Sequence, residues 1–90
     1  MYEIRFRSPR AERELLRLPA RDRNRIRSRL DLLKLNPRPP GIKALEPGVY
    51  RLRVGNYRVV YQVIDAEHII IIGLIGPRNE DTYSRWRDLF

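Results

Sequence analysis

Cysteine is absent from this chain, which excludes disulfides and cysteine–histidine zinc sites and leaves a cytoplasmic setting as the simplest expectation. Histidine occurs once, at His68, so a histidine-dependent nucleophilic triad would have to be built on that single side chain. No apolar run approaches the length of a membrane span, and the opening "MYEIRFRSPR" lacks the apolar core of a signal peptide. No membrane partner is expected. Repeats, low-complexity tracts and internal boundaries are missing too, and 90 residues with 42% hydrophobic content suit one domain spanning 1–90. A chain this short buries only about 60% of its unfolded surface, so its stability should be modest.

Acidic residues are also in short supply, 11 against 19 basic ones, for a formal charge of +8 and a pI near 10.8. That imbalance points to a polyanionic partner: nucleic acid, an anionic membrane surface or an acidic protein. Among the basic residues only Lys34 and Lys43 are lysines. Arginine presents a planar fork of donors matched to phosphate, although a genome rich in arginine codons would leave the same composition. A membrane surface fits less well, because no amphipathic helix sets exposed large apolar residues beside its basic ones.

What is present reads in order along the chain. "YEIRFR" alternates, with Tyr2, Ile4 and Phe6 on one side and Glu3, Arg5 and Arg7 on the other, as a half-buried strand does. Ser8-Pro9 supplies an N-cap and a proline for a first helical position, and Ala11, Leu15 and Leu18 follow at helical spacing. A second helix starts at Pro19 with Ile26, Leu30 and Leu33 as its buried stripe and Arg21, Asp22, Arg25 and Arg29 on a wet opposite side. "NPRPPG" cannot continue that helix and reads as the return loop to the sheet. Strands are expected near 49–54, 57–64 and 68–75, and Asn79 could cap a short C-terminal helix or tail carrying Tyr83, Trp86, Leu89 and Phe90. The expectation is therefore α+β: an N-terminal strand, a helical hairpin, an antiparallel three-stranded meander and a short C-terminal helix.

The stretch "VYRLRVGNYRVVYQV" carries the chemistry. A two-residue loop with glycine first predicts a type II′ turn at Gly55-Asn56. That register opposes Val54 to Tyr57, Arg53 to Arg58, Leu52 to Val59, Arg51 to Val60 and Tyr50 to Tyr61. The pleat then gathers Tyr50, Leu52, Val54, Tyr57, Val59, Tyr61 and Val63 on one face and Arg51, Arg53 and Arg58 on the other. Like charges directly opposed on a sheet cost roughly 0.2–1 kcal/mol. A bound anion reverses that sign, whereas a plain solvated face would pair these arginines with acids such as Glu46, Glu67 or Glu80.

"YRLRVGNYRVVYQVID", an isoleucine-rich strand and then "GPRNEDTY" together resemble the RelE/ParE toxin superfamily, specifically its RelE-like members, and the likeness in element order spans nearly the whole chain. The resemblance implies a RelE-like fold and a toxin of a type II toxin–antitoxin system. It further implies an endoribonuclease that enters the ribosomal A site, cuts mRNA there without metal or cofactor, and is held inactive by an acidic, RelB-like antitoxin. By motif, Arg51 and Arg53 fall on the basic positions of the first hairpin strand, Arg58 on the arginine of the next, and Arg78 and Tyr83 on the arginine and tyrosine after the last. Arginine at 51 and 53 replaces the lysines of well-known members, and Pro77 stands where many carry histidine or lysine. Each departure removes a group able to move a proton.

Cleavage by the RNA's own 2′-hydroxyl needs a base, cations for the charge developing on phosphorus, and a proton for the departing 5′-oxygen. Arginine supplies charge but is a poor proton carrier. On this reading Tyr83 is the base, Arg58 and Arg78 hold the scissile phosphate, and Arg51 and Arg53 steer the RNA or donate to the leaving group. A free phenol is ionised about one part in a thousand at neutral pH, and guanidinium neighbours raise that fraction. Glu80 and Asp81 are rival bases. His68 reads as a surface residue, and Trp86 and Phe90 as core cover or a docking groove before base-stacking platforms. Two other functions share the scaffold: a ParE-like inhibitor of DNA gyrase, and a nucleic-acid-binding module with no catalysis.

Overall fold

The structure is a computed structural model, and it describes residues 1–78. Those residues form a five-stranded sheet with two α-helices: β1 (Glu3–Phe6), α1 (Pro9–Leu16), α2 (Ala20–Leu35), β2 (Lys43–Glu46), β3 (Val49–Val54), β4 (Tyr57–Ile64) and β5 (Ile69–Pro77). The expected C-terminal helix falls on 79–90, outside the described residues.

Local chemistry sets the element ends. The Ser8 side chain accepts from the Ala11 amide at 3.2 Å, with Pro9 opening α1 behind it. Pro19 is the N-cap of α2 instead of its first helical residue, in extended backbone with φ −52° and ψ 146°. The chain leaves β1, crosses one face of the sheet as α1 and α2, and lands at the far edge as β2. It then returns through β3 and β4 to β5, which pairs in parallel with β1, giving the order β1-β5-β4-β3-β2. Both helices therefore lie on one face, and Leu15, Ile26, Leu30 and Leu33 pack onto Leu52, Val59, Tyr61, Ile70 and Ile72 beneath them.

Three expectations need correction. β2 lies outside the expected meander, so the sheet has five strands where four were anticipated. Lysine, alanine and glutamate are poor strand formers, and a bulge at Leu45 breaks the alternation, so pairing with β3 is what makes Lys43–Glu46 a strand. The last meander strand runs Ile69–Pro77, not 68–75, because His68 is held in the left-handed region (φ 55°) by the preceding turn. Finally, the basic side of α2 is not wholly wet. Arg29 is half-buried, and the Arg25 guanidinium lies against Gly55, 2.9 Å from where a Cβ there would stand.

At the sheet end remote from Gly55, the proline-rich loop is latched to the β4–β5 turn. Arg38 grips Asp65 with two nitrogens at 2.7 and 3.1 Å while its Nε donates to the Tyr50 hydroxyl at 2.9 Å. Tyr2 donates to the same carboxylate at 2.6 Å, and the Tyr61 hydroxyl donates to the Pro37 carbonyl at 2.8 Å. Hydrogen bonds from Arg38 and then Tyr2 hold Asp65 at about 2, below the ordinary 3.8. A carboxyl depressed on folding stabilises the native state above its unfolded pKa, and that contribution fades as pH falls through the folded one. Acid titration should thus weaken the domain between about pH 4 and pH 2 through this latch, and Asp65→Asn should flatten that part of a urea-midpoint-versus-pH curve. At the opposite end, Gly55→Ala forces a side chain into φ +58° and should cost roughly 1–2 kcal/mol in urea unfolding.

Candidate phosphate-binding face

The hairpin forms as its sequence dictates. Gly55 has φ +58° and Asn56 is not among the described residues with positive φ, the pattern of a type II′ turn. The register pairs Val54 with Tyr57, Arg53 with Arg58, Leu52 with Val59, Arg51 with Val60 and Tyr50 with Tyr61, as expected. A two-residue loop closes on a hydrogen-bonded pair, here Val54–Tyr57. Arg53–Arg58 is consequently a non-hydrogen-bonded pair, the kind whose side chains stand closest, with Cβ atoms about 4.5–5.5 Å apart.

The two faces separate cleanly. Leu52, Val54, Val59, Tyr61 and Val63 are buried with Tyr50 and Tyr57 packed beside them under the helices. Opposite them, Arg53 is exposed and Arg51 and Arg58 are half-buried. On that face Val49, Val60 and Leu74 make a second small apolar cluster with Leu45 against it. Arg51 stands directly across from Val60, so its stem has apolar company. Desolvation first, and the Arg58 charge second, lower the Arg51 pKa. The two guanidiniums therefore feel each other across the diagonal. Neither Arg51, Arg53, Arg58 nor Arg78 has an ion pair among the described residues, so Glu46 and Glu67 do not neutralise this face.

Arg78 is tied to the hairpin tip by its backbone, whose amide donates to the Asn56 carbonyl at 2.7 Å, one step beyond the Tyr57–Pro77 pair. Arg78 is the first residue after β5, and alternation continued from Gly76 would put it on the arginine face. Arg78 also borders a depression shared with Asn56, Tyr57 and Pro77. From the helical side the tip is flanked by Arg25, while the Tyr57 hydroxyl donates to Asp22 at 3.4 Å. Tyr83, Glu80 and Asp81 lie outside the described residues. His68 is exposed and stacks on Tyr2 at 5.1 Å, at the end of the sheet away from the arginines. Two basic residues escaped the sequence reading. Lys43 pairs with Arg51 on β2, and Arg25 reaches the tip from α2. A strand signal at 43–46 would have found the first; nothing local marks the second.

The meander with a helical hairpin behind it is matched among known proteins. A family model described as the ParE toxin of the type II toxin–antitoxin system parDE matches residues 6–82. The chain belongs to the RelE/ParE toxin superfamily. A protein of Methanocaldococcus jannaschii that carries the name toxin RelE1 is 37% identical over 77 residues, covering 80% of this chain and 84% of that one. The isolated E. coli RelE toxin is 26% identical with a TM-score of 0.79, over 98% of this chain and 97% of that one. RelE in the archaeal RelE–RelB complex from Pyrococcus horikoshii OT3 is 26% identical with a TM-score of 0.75, over 88% and 97%. This chain is a RelE-like toxin of a type II toxin–antitoxin system.

Opposed charges make a separable prediction for the toxin. Arg53→Ala removes one member of the facing pair and should raise stability by roughly 0.2–1 kcal/mol in low-salt urea unfolding, with the gain shrinking as salt is added. The same variant should bind single-stranded RNA more weakly. A gain in stability without loss of RNA affinity would leave the pair with no ligand.

Proposed function

We infer that this toxin is a metal-independent endoribonuclease that inhibits translation by cutting mRNA in the ribosomal A site. The observation that carries this inference is the Arg53–Arg58 register with Arg51 on its diagonal: cations fixed by strand geometry, unneutralised among the described residues. An arrangement that opposes folding gains its sense from a bound phosphate. Strand-borne groups need little reorganisation as charge develops on phosphorus, which is where preorganised donors act most strongly.

In the proposed reaction the RNA 2′-oxygen attacks its own phosphate. Arg58 and Arg78 hold the non-bridging oxygens, Arg51 and Arg53 set the path of the strand, and Tyr83 removes the 2′-hydroxyl proton. The cytoplasm is the compartment where such a substrate is translated. An acidic RelB-like antitoxin is the proposed partner; RelE was crystallised with RelB in the Pyrococcus complex and in the intact E. coli one. Its acidic segment would cover the arginine face or displace residues 79–90. A toxin with +8 formal charge gains stability from such a partner by mass action.

Gyrase inhibition is the alternative, favoured by the ParE name of the matching family model. Fold alone does not choose between them. In vitro translation with primer extension should show new mRNA 5′ ends inside the reading frame when ribosomes are present, with DNA supercoiling by gyrase unaffected. Blocked supercoiling with intact message would give the alternative instead. Arg78→Ala and Tyr83→Phe should each lower single-turnover cleavage by at least 100-fold, a typical weight for one charge-stabilising or proton-transferring group, while antitoxin binding persists. Near-full cleavage by Tyr83→Phe would move the base to another residue.

A further inference from the structure

If the toxin is the endoribonuclease inferred above, one requirement of the reaction has no provider on the hairpin. When the 2′-oxygen displaces the 5′-oxygen, the P–O5′ bond breaks with its electron pair on oxygen, and that alkoxide needs a proton. Arg51, Arg53, Arg58 and Arg78 cannot lend one, because a guanidinium is not deprotonated in proteins. An ammonium can. The chain has two lysines: Lys34 sits on α2 with its nitrogen 3.4 Å from Asp31, and Lys43 pairs in register with Arg51.

Residues directly opposed across two strands point to the same face, so Lys43 belongs to the arginine face. It extends the row Lys43, Arg51, Val60 and Leu74, adjoining the row Arg53, Arg58 and Gly76. Arg51, its immediate neighbour, is close enough to Arg58 to feel that charge. Lys43 is exposed and makes no ion pair among the described residues. The bulge at Leu45 packs that side chain against Val49, Val60 and Leu74 on this same face, which seats the edge strand and fixes where Lys43 stands. Among the described residues the other carboxylates are farther off. Glu46 lies across from Val49, one face position farther from the tip, and Glu3 is engaged with Arg5 on the opposite edge strand.

We propose that Lys43 is the general acid of this toxin, giving its proton to the 5′-oxygen of the departing nucleotide. The base takes the 2′-hydroxyl proton, the 2′-oxygen bonds to phosphorus, and the products are a 2′,3′-cyclic phosphate and a 5′-hydroxyl. The neutral lysine amine then regains a proton from water. Arg51 and Arg58 carry the phosphate charge, and Lys43 moves the proton they cannot.

The decisive experiment compares two messages on programmed ribosomes in single-turnover cleavage. One has the natural bridging 5′-oxygen at the A-site codon; the other has sulfur there, a leaving group that departs without a proton. Wild type cleaves both. Lys43→Arg, which keeps the charge, should slow the natural message 100-fold or more, in the usual range for lost general acid catalysis, and cleave the sulfur message at close to the wild-type rate. The ratio is taken within one preparation, so partial misfolding cancels. Lys43→Ala should give the same ratio. Equal slowing of both messages, or of neither, overturns the assignment of Lys43 and leaves the nuclease intact. Failure of wild type to cleave the natural message overturns the nuclease itself.

Discussion

Register is the constraint from which everything else follows. Gly55 takes a positive φ that matches the strand twist, the loop closes in two residues, and every pairing between β3 and β4 is then fixed. Side chains on a strand alternate, so a slip of one residue would carry Arg51, Arg53 and Arg58 into the helix-covered layer and expel Leu52, Val54 and Val59. Burying three unpartnered guanidiniums would be prohibitive for a small domain. The hydrophobic layer thus enforces the cationic one: the more firmly Leu15, Ile26 and Leu30 hold their side of the sheet, the more exactly placed the arginines are on the other.

That coupling explains how a marginal domain tolerates its own charge. The cost of Arg53 facing Arg58 is a fraction of a kilocalorie to about one, against a total stability of about 5–15 kcal/mol for typical domains. Compensation is concentrated at the far end, where Arg38, Asp65, Tyr2 and Tyr50 share hydrogen bonds. Among the described residues, ion pairs hold the end where the fold closes and none involves Arg51, Arg53 or Arg58. On the side that β1 leaves uncovered, the Ile75 amide of β5 still finds the Glu14 carboxylate at 3.2 Å, so even the sheet edge beside the arginine face is capped.

The hairpin was legible in the sequence because its two determinants are local, a Gly-Asn loop and strict alternation on both sides. The same holds for the Ser8 cap and the leucine stripe of α2. What escaped was set by contacts distant in the chain. Lys43–Glu46 has neither the composition nor the alternation of a strand and becomes one by pairing with β3. Arg25 looks like any solvated helical arginine until α2 is laid over the tip at Gly55, 30 positions on. The Arg38–Asp65 latch joins two turns separated by 27 positions, with no periodicity to announce it. Motif likeness pointed to Arg78, whose amide the structure ties to the tip, and to Tyr83, which lies outside the described residues.

An all-arginine hairpin also dictates where proton chemistry has to reside. Guanidiniums hold charge over the whole physiological pH range and exchange no protons, so a cradle made of them is electrostatically constant but chemically inert. Under the proposed nuclease function any acid or base must come from outside that cluster, and among the described residues β2 borders it. Under that proposed function, such a division would keep a phosphate grip rigid and unaffected by protonation, because the groups that gain and lose protons are not the ones that hold the charge.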